Sequence, residues 1–187
     1  MPAAPPDQAG RASGDATFEQ IYESWYAHVA RWTVALGANR ADIDDIVQDV
    51  FVVVHRRLSD FNGDNVAGWL YQIVRRKVSE HRRLTWIKHI FRAGSELHVE
   101  LPLPTLDAYD QLDLKEQRLL LDRLLDKLKP EYRAAFLMFE MLGYSGEEIS
   151  EVQSVCINTV WARIHTARKR LKGEIARLER SGRFRTS

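Results

Sequence analysis

The sequence predicts an all-α protein: two small helical domains joined by an acidic flexible linker. Apolar residues recur at helical spacing over residues 18–58 and again over 114–178. Between them, Gly94, Pro102 and Pro104 stand among Glu96, Glu100, Asp107 and Asp110, a composition that excludes a helix interior. No segment reads as a strand. The 187 residues, 45% hydrophobic and 28% charged, suffice for two small cores and exclude wholesale disorder. The single Cys cannot form an internal disulfide, and no apolar run approaches the roughly 18 residues of a membrane span. Residues 1–16 have no apolar core segment for a signal peptide, and their Pro, Ala and Gly content predicts a disordered tail. A soluble, cytoplasmic protein without direct membrane insertion is expected.

The first domain is expected over 17–92. Phe18, Ile21, Tyr22, Trp25, Val29 and Trp32 mark one helix, stopped by Leu36-Gly37. A second begins near Asp42, with Asp42, Asp44 and Asp45 favourably placed at the positive end of its dipole. Its apolar face runs Ile43, Ile46, Val47, Val50, Phe51, Val54, Leu58, a period that overrides the strand propensity of Val52-Val53-Val54. Phe61-Asn62-Gly63-Asp64-Asn65 is a loop by composition. A third helix carries Trp69, Leu70, Ile73 and Val74, with Arg75, Arg76, Lys77, Arg82 and Arg83 crowding its second half. Residues 93–115 form the linker. The second domain spans 116–180, with helices through Leu121–Leu128 and from Tyr132 to Leu142, then two more. Residues 181–187 are a basic tail.

The formal net charge of +1 argues at first against nucleic acid. By segment it resolves into −4 over 1–60 (9 acidic, 5 basic), +5 over 61–92 (2, 7), −4 over 93–131 (9, 5), −3 over 132–152 (4, 1) and +7 over 153–187 (2, 9). The two basic blocks are candidate footprints for phosphate backbones.

The sharpest local motif runs from Gly143 to Arg170. Ser145-Gly146-Glu147-Glu148 fits a capping box that opens a short helix with Ile149 and Val152 inward. After the turn Gln153–Cys156 a longer basic helix holds Val160, Ile164, Ala167 and Leu171 on its buried face. This is a helix-turn-helix, whose second helix fits the major groove. Its outward face carries Asn158, Thr159, Trp161, Ala162, Arg163, His165, Thr166, Arg168 and Lys169, where Asn suits adenine and Arg suits guanine or phosphate.

The two-lobed pattern resembles the extracytoplasmic-function (ECF) group of bacterial RNA polymerase sigma factors. FEQIYESWYAHVARW, ADIDDIVQDVFVVVHRRL and FNGDNVAGWLYQIVRRKVSEHRR resemble region 2. LDKLKPEYRAAFLMFEMLGYSGEEISE and NTVWARIHTARKRL resemble region 4. The resemblance implies a transcription-initiation subunit that binds core RNA polymerase through the β′ clamp helices and the β flap. It implies contact with promoter DNA, duplex at the upstream (−35) element and single-stranded at the downstream (−10) element, and an anti-sigma factor as partner. Asp44, Asp45, Gln48, Asp49 and Phe51 match the polymerase-docking helix, read as acids beside one exposed aromatic. Phe61, Asn62, Asn65, Tyr71, Arg75, Arg76, Lys77, His81, Arg82 and Arg83 match the strand-capture region, where a π surface and cationic walls are needed; Trp69 is assigned to the core. The chain departs from the family pattern at Cys156, Asn158, Trp161-Ala162 and Thr166, and at Glu80 in region 2.

No cofactor, metal or small-molecule substrate is implied. The six His form no HExxH or i,i+4 pair, and the chain has no Gly-rich phosphate loop and no GxSxG elbow, so an enzyme is not expected. A stand-alone helix-turn-helix regulator remains the alternative. It would need a sensor or dimer surface over 17–91 in place of polymerase docking.

Overall fold

The computed structural model describes residues 17–91 and 119–180, and the side chains of 17–85 and 119–180 within them. The 1–16, 93–115 and 181–187 expectations lie outside the described residues. Those residues form seven α-helices and no strand.

Helix α1 (Phe18–Ala35) opens on a reciprocal capping box. Thr17 Oγ1 accepts from Gln20 N–H at 3.4 Å, and Gln20 Oε1 accepts from Thr17 N–H at 3.0 Å. Of the stripe read from the sequence it buries Ile21, Trp25, Val29 and Trp32, while Phe18 is half-buried and Tyr22 is exposed, and it ends before Gly37, which adopts φ +86°. A 3₁₀ turn at Arg40–Asp42 leads into α2 (Ile43–Arg57), which buries Ile46, Val47, Val50, Phe51 and Val54. Val52 on its far side is exposed, as a one-sided helix requires. Helix α3 (Val66–Phe91) completes the first lobe, with Leu70, Val74 and Val78 inward.

The second lobe is described from α4 (119–126), followed by α5 (Pro130–Glu140), which has Pro at its first turn. The capping box at Ser145 forms as expected. Ser145 N–H donates to Glu148 Oε2 at 2.6 Å, and Glu148 N–H donates to Ser145 Oγ at 3.1 Å. It opens α6 (Gly146–Gln153), which ends on Ser154 in the left-handed region (φ 52°). Helix α7 (Ile157–Arg180) follows and buries Val160, Ile164, Ala167 and Leu171 against α5 and α6.

The two lobes abut. Helix α6 packs on α3 and α5 packs on α1, so the buried residues make one continuous core. The sequence reading had the lobes connected only through the linker. Where they meet is Arg133, whose side chain is 7% exposed. It donates to Asp126 at 2.6 Å and crosses Gly37, at which a Cβ would come 3.3 Å from its guanidinium.

Candidate nucleic-acid interface and docking face

Helix α7 is built as its sequence dictates. With the Val160–Leu171 stripe inward, Asn158, Trp161, Ala162, His165, Arg168 and Lys169 are exposed, while Thr159, Arg163 and Thr166 are half-buried. Trp161 does not hang free. Its indole lies against Gly146, where a Cβ would come 2.7 Å from the ring, and it meets Phe139 edge-on at 5.2 Å. The Arg168 guanidinium lies 5.6 Å from the Phe139 centroid and donates through Nε to Glu140 at 2.7 Å. Arg163 is turned inward and donates to Gln153 Oε1 at 2.5 Å. Cys156 Sγ is 3.1 Å from Thr159 Oγ1, and that hydrogen bond holds the thiol below its ordinary pKa.

The strand-capture set is more dispersed in role. Phe61 stacks on Trp69 with centroids 4.5 Å apart, and both are half-buried, with Trp69 packed against the edge of the core on its other side. Asn62 turns the loop by donating to Asp64 Oδ2 at 2.8 Å and accepting from Asp64 N–H at 3.2 Å. Asn65 caps α3, its Oδ1 accepting from Gly68 N–H at 2.7 Å. Along α3, Arg75 meets Glu131, Arg76 meets Glu80, Lys77 and His81 both meet Asp49 at 3.4 Å, and Arg82 donates to Leu36 O. Arg83 is exposed.

Tyr71 requires a correction. Expected to offer a π surface to a base, it is 2% exposed, packed edge-on to Trp32 with centroids 5.9 Å apart. Its hydroxyl accepts from Gln153 of the other lobe at 3.3 Å, and burial raises its pKa above the usual tyrosine range. The helical period decides this: Tyr71 follows Leu70 and precedes Val74 on the inward side of α3.

The docking helix requires another. Asp44, Asp45 and Gln48 are exposed and Asp49 is half-buried, but Phe51 is only 4% exposed and is not the exposed aromatic. Tyr22 and Tyr26 of α1 cover it, with ring centroids at 4.7 and 6.1 Å, and they are themselves 41% exposed. The aromatics of this face therefore come from the neighbouring helix and form a groove with Phe18, Gln48, Val52 and His55. The i,i+4 pair Tyr22/Tyr26, lying beside the Trp25–Val29 stripe, was the signal in the sequence. Among the described residues no cluster of His, Cys, Asp and Glu is arranged to hold a metal ion. No helix among them is long and apolar enough to cross a membrane.

Fold and surface together define a two-lobed α-helical protein, one lobe carrying a basic helix-turn-helix and the other a basic helix beside an acidic, aromatic groove. Comparison with known proteins narrows this class. Residues 21–87 match the model for Sigma-70 region 2, and residues 118–171 match that for Sigma-70 region 4. The sigma factor CnrH of Cupriavidus metallidurans is 30% identical over 171 residues, covering 87% of this chain and 89% of CnrH. The ECF sigma factor SigE of Mycolicibacterium smegmatis is 29% identical over 178 residues, covering 91% of this chain, which spans 65% of SigE. The solved sigma factor RpoE of Bartonella quintana, in complex with the anti-sigma factor NepR, shares the fold (TM-score 0.58, 21% identity, 85% of this chain and 96% of that one). The chain belongs to the extracytoplasmic-function family of RNA polymerase sigma factors.

Proposed function

We infer that the protein is an alternative sigma factor which binds core RNA polymerase and directs promoter-specific initiation. The observation that carries this is the pairing of a region 2 lobe and a region 4 lobe in order on one chain, each with its own cationic helix. Asp44, Asp45 and Gln48, with Tyr22 and Tyr26 beside them, form the docking face for the basic β′ clamp helices. Phe61 over Trp69, with Asn62, Arg76, Lys77, His81 and Arg83, grips the single strand of the −10 element. The outward residues of α7, from Asn158 to Lys169, read the −35 duplex, and the second lobe meets the β flap. The partner that restrains it is an anti-sigma factor, as the solved RpoE has NepR. The chain works in the cytoplasm, performs no catalysis and takes no cofactor.

Run-off transcription with core polymerase and a cognate promoter tests this reading. Specific transcripts that depend on the protein are expected, together with co-purification with core enzyme. Tight duplex binding as an isolated dimer without any association with polymerase would instead establish a stand-alone regulator.

A further inference from the structure

The groove on the first lobe is a continuous aromatic strip. Phe18, Tyr22 and Tyr26 stand at i, i+4 and i+8 of α1, with successive ring centroids 6.0 and 5.4 Å apart. Phe51 of α2 floors the strip, its centroid 6.4, 4.7 and 6.1 Å from the three rings in turn. Val52 and His55 form the opposite wall, and the groove encloses about 660 Å³. Among the described residues nothing covers it, and Tyr22, Tyr26 and Val52 are all exposed. Large apolar side chains gathered on one open face mark an interaction site.

The sequence just ahead of this groove carries a segment of matching chemistry. Thr17 caps α1 directly before Phe18, and upstream of it stands Pro2-Ala3-Ala4-Pro5-Pro6. Proline fixes φ near −65° and has no N–H, so this composition favours polyproline II and forfeits little freedom on docking. That helix repeats every three residues and brings Pro2 and Pro5 to one face. The same P-x-x-P spacing lets proline-rich peptides lie in aromatic-lined grooves. The lengths agree. Pro2 to Pro6 is four rises of about 3.1 Å, and Phe18 to Tyr26 is eight rises of about 1.5 Å, each roughly 12 Å. Residues 7–16 reach at most about 33–36 Å, ample for the chain to fold back over the strip. Charge sets the direction. The Phe18 end of the groove carries His55, with ring centroids 5.1 Å apart, and Arg56 beside it. A segment running antiparallel to α1 brings Asp7 to Arg56, whereas the reverse direction would bring it towards Asp44.

Resting on the polymerase-docking role given to this face, we propose that residues 2–6 occupy the Tyr22/Tyr26 groove of the free chain and leave it when core polymerase docks. A tether this short sets an effective concentration on the order of millimolar, so a weak contact suffices to populate the docked form. Polymerase then meets only the open fraction, and its apparent affinity falls by that fraction.

Two measurements on the full chain test this. A nitroxide on Ala4→Cys, with Cys156→Ser to leave one thiol, should broaden the resonances of Tyr22, Tyr26 and Val52 relative to the reduced label. Those of Met141 and Trp161 in the second lobe should be spared. Broadening of neither set, or of both alike, would overturn the docking. Broadening that fades when the labelled chain is diluted into unlabelled chain would assign the groove to a second copy's segment and overturn the intramolecular contact. Pro5→Gly with Pro6→Gly should abolish the broadening and raise affinity for core polymerase about threefold, the value for a segment docked about two-thirds of the time. Unchanged affinity would overturn the competition. Failure of parent and variant alike to bind core polymerase would count against the sigma reading, and the broadening would still decide the docking.

Discussion

Asn65 supplies a measurable separation of two roles carried by one side chain. Its Oδ1 caps α3 through Gly68 N–H at 2.7 Å, and its Nδ2 reaches Glu151 O at 2.9 Å in the other lobe. Asn65→Ala removes both. Loss of an N-cap costs about 1 kcal/mol, and loss of a neutral hydrogen bond about 0.5–1.5 kcal/mol. Asn65 is exposed, so the low half applies and the total is about 1.5 kcal/mol. For a chain of this size that lowers Tm by about 3–6 °C. Asn65→Asp keeps the acceptor and adds a negative charge at the helix N-terminus, worth about 0.3–1 kcal/mol, but it cannot donate to Glu151 O. It should melt within about 2 °C of the parent while losing the contact between lobes. Circular dichroism gives the melting points, and small-angle scattering gives the separation. An Asn65→Asp protein that melts as low as Asn65→Ala would refute the capping role. One as compact as the parent would refute the bridging role.

Other expectations follow from the same geometry. Charge reversal at Asp44 and Asp45 should lower affinity for core polymerase at least tenfold with little change in duplex binding, measured by fluorescence anisotropy; equal loss of both would indicate misfolding. Trp161, pinned by Gly146 and Phe139, offers a fixed apolar surface suited to a thymine methyl group. If so, replacing thymine by uracil in the upstream element should weaken the parent protein about threefold or more and leave Trp161→Ala unaffected, and a parent indifferent to the methyl would exclude this mode of reading. His28 is held below its ordinary pKa by burial and by Arg31, against an opposing pull from Glu148. The unfolded chain therefore takes up a proton below about pH 6.5 that the folded chain resists. Stability should be flat above that pH and fall as the pH drops below about 6.5 towards the lowered folded-state pKa, and His28→Gln should flatten that fall in thermal melts.

Most helices were legible because each buries one stripe at a fixed period, and their starts were marked by side chains that cap locally. Ser145 and Glu148 are three residues apart, so their reciprocal bonds needed no tertiary information. The Val52-Val53-Val54 run could be read correctly because the longer period surrounding it outvoted local propensity. Tyr71 and Phe51 were misplaced for a shared reason. The helical period already had Phe51 on the apolar face of α2 and Tyr71 beside Leu70 on α3, and the exposed roles came from the family resemblance, while the neighbours that cover each ring lie far away in sequence. For Phe51 that neighbour is the Tyr22/Tyr26 pair, and for Tyr71 it is Trp32 below and Gln153 above. The docking of the lobes was illegible altogether. It rests on pairs separated by up to 116 positions, such as His28–Tyr144, which carry no periodic or local signature.

The near-zero net charge gains a structural meaning from these pairs. Arg75, Arg76, Lys77 and Arg168 each stand within 4 Å of a carboxylate: Glu131, Glu80, Asp49 and Glu140. A phosphate that binds one of these cations must displace a carboxylate as well as release condensed counterions. The carboxylate so freed becomes a like charge beside the backbone of the DNA. The basic blocks of +5 and +7 therefore attract DNA less than their count implies as long as these carboxylates, Asp49, Glu131 and Glu140 of the acidic segments and Glu80 within the first block, remain paired with them. For the isolated chain, the slope of log affinity against log salt should then be shallower than one counterion per basic residue. Binding strengthens where polymerase supplies the remaining contacts, which suits a specificity subunit that must not occupy promoters alone.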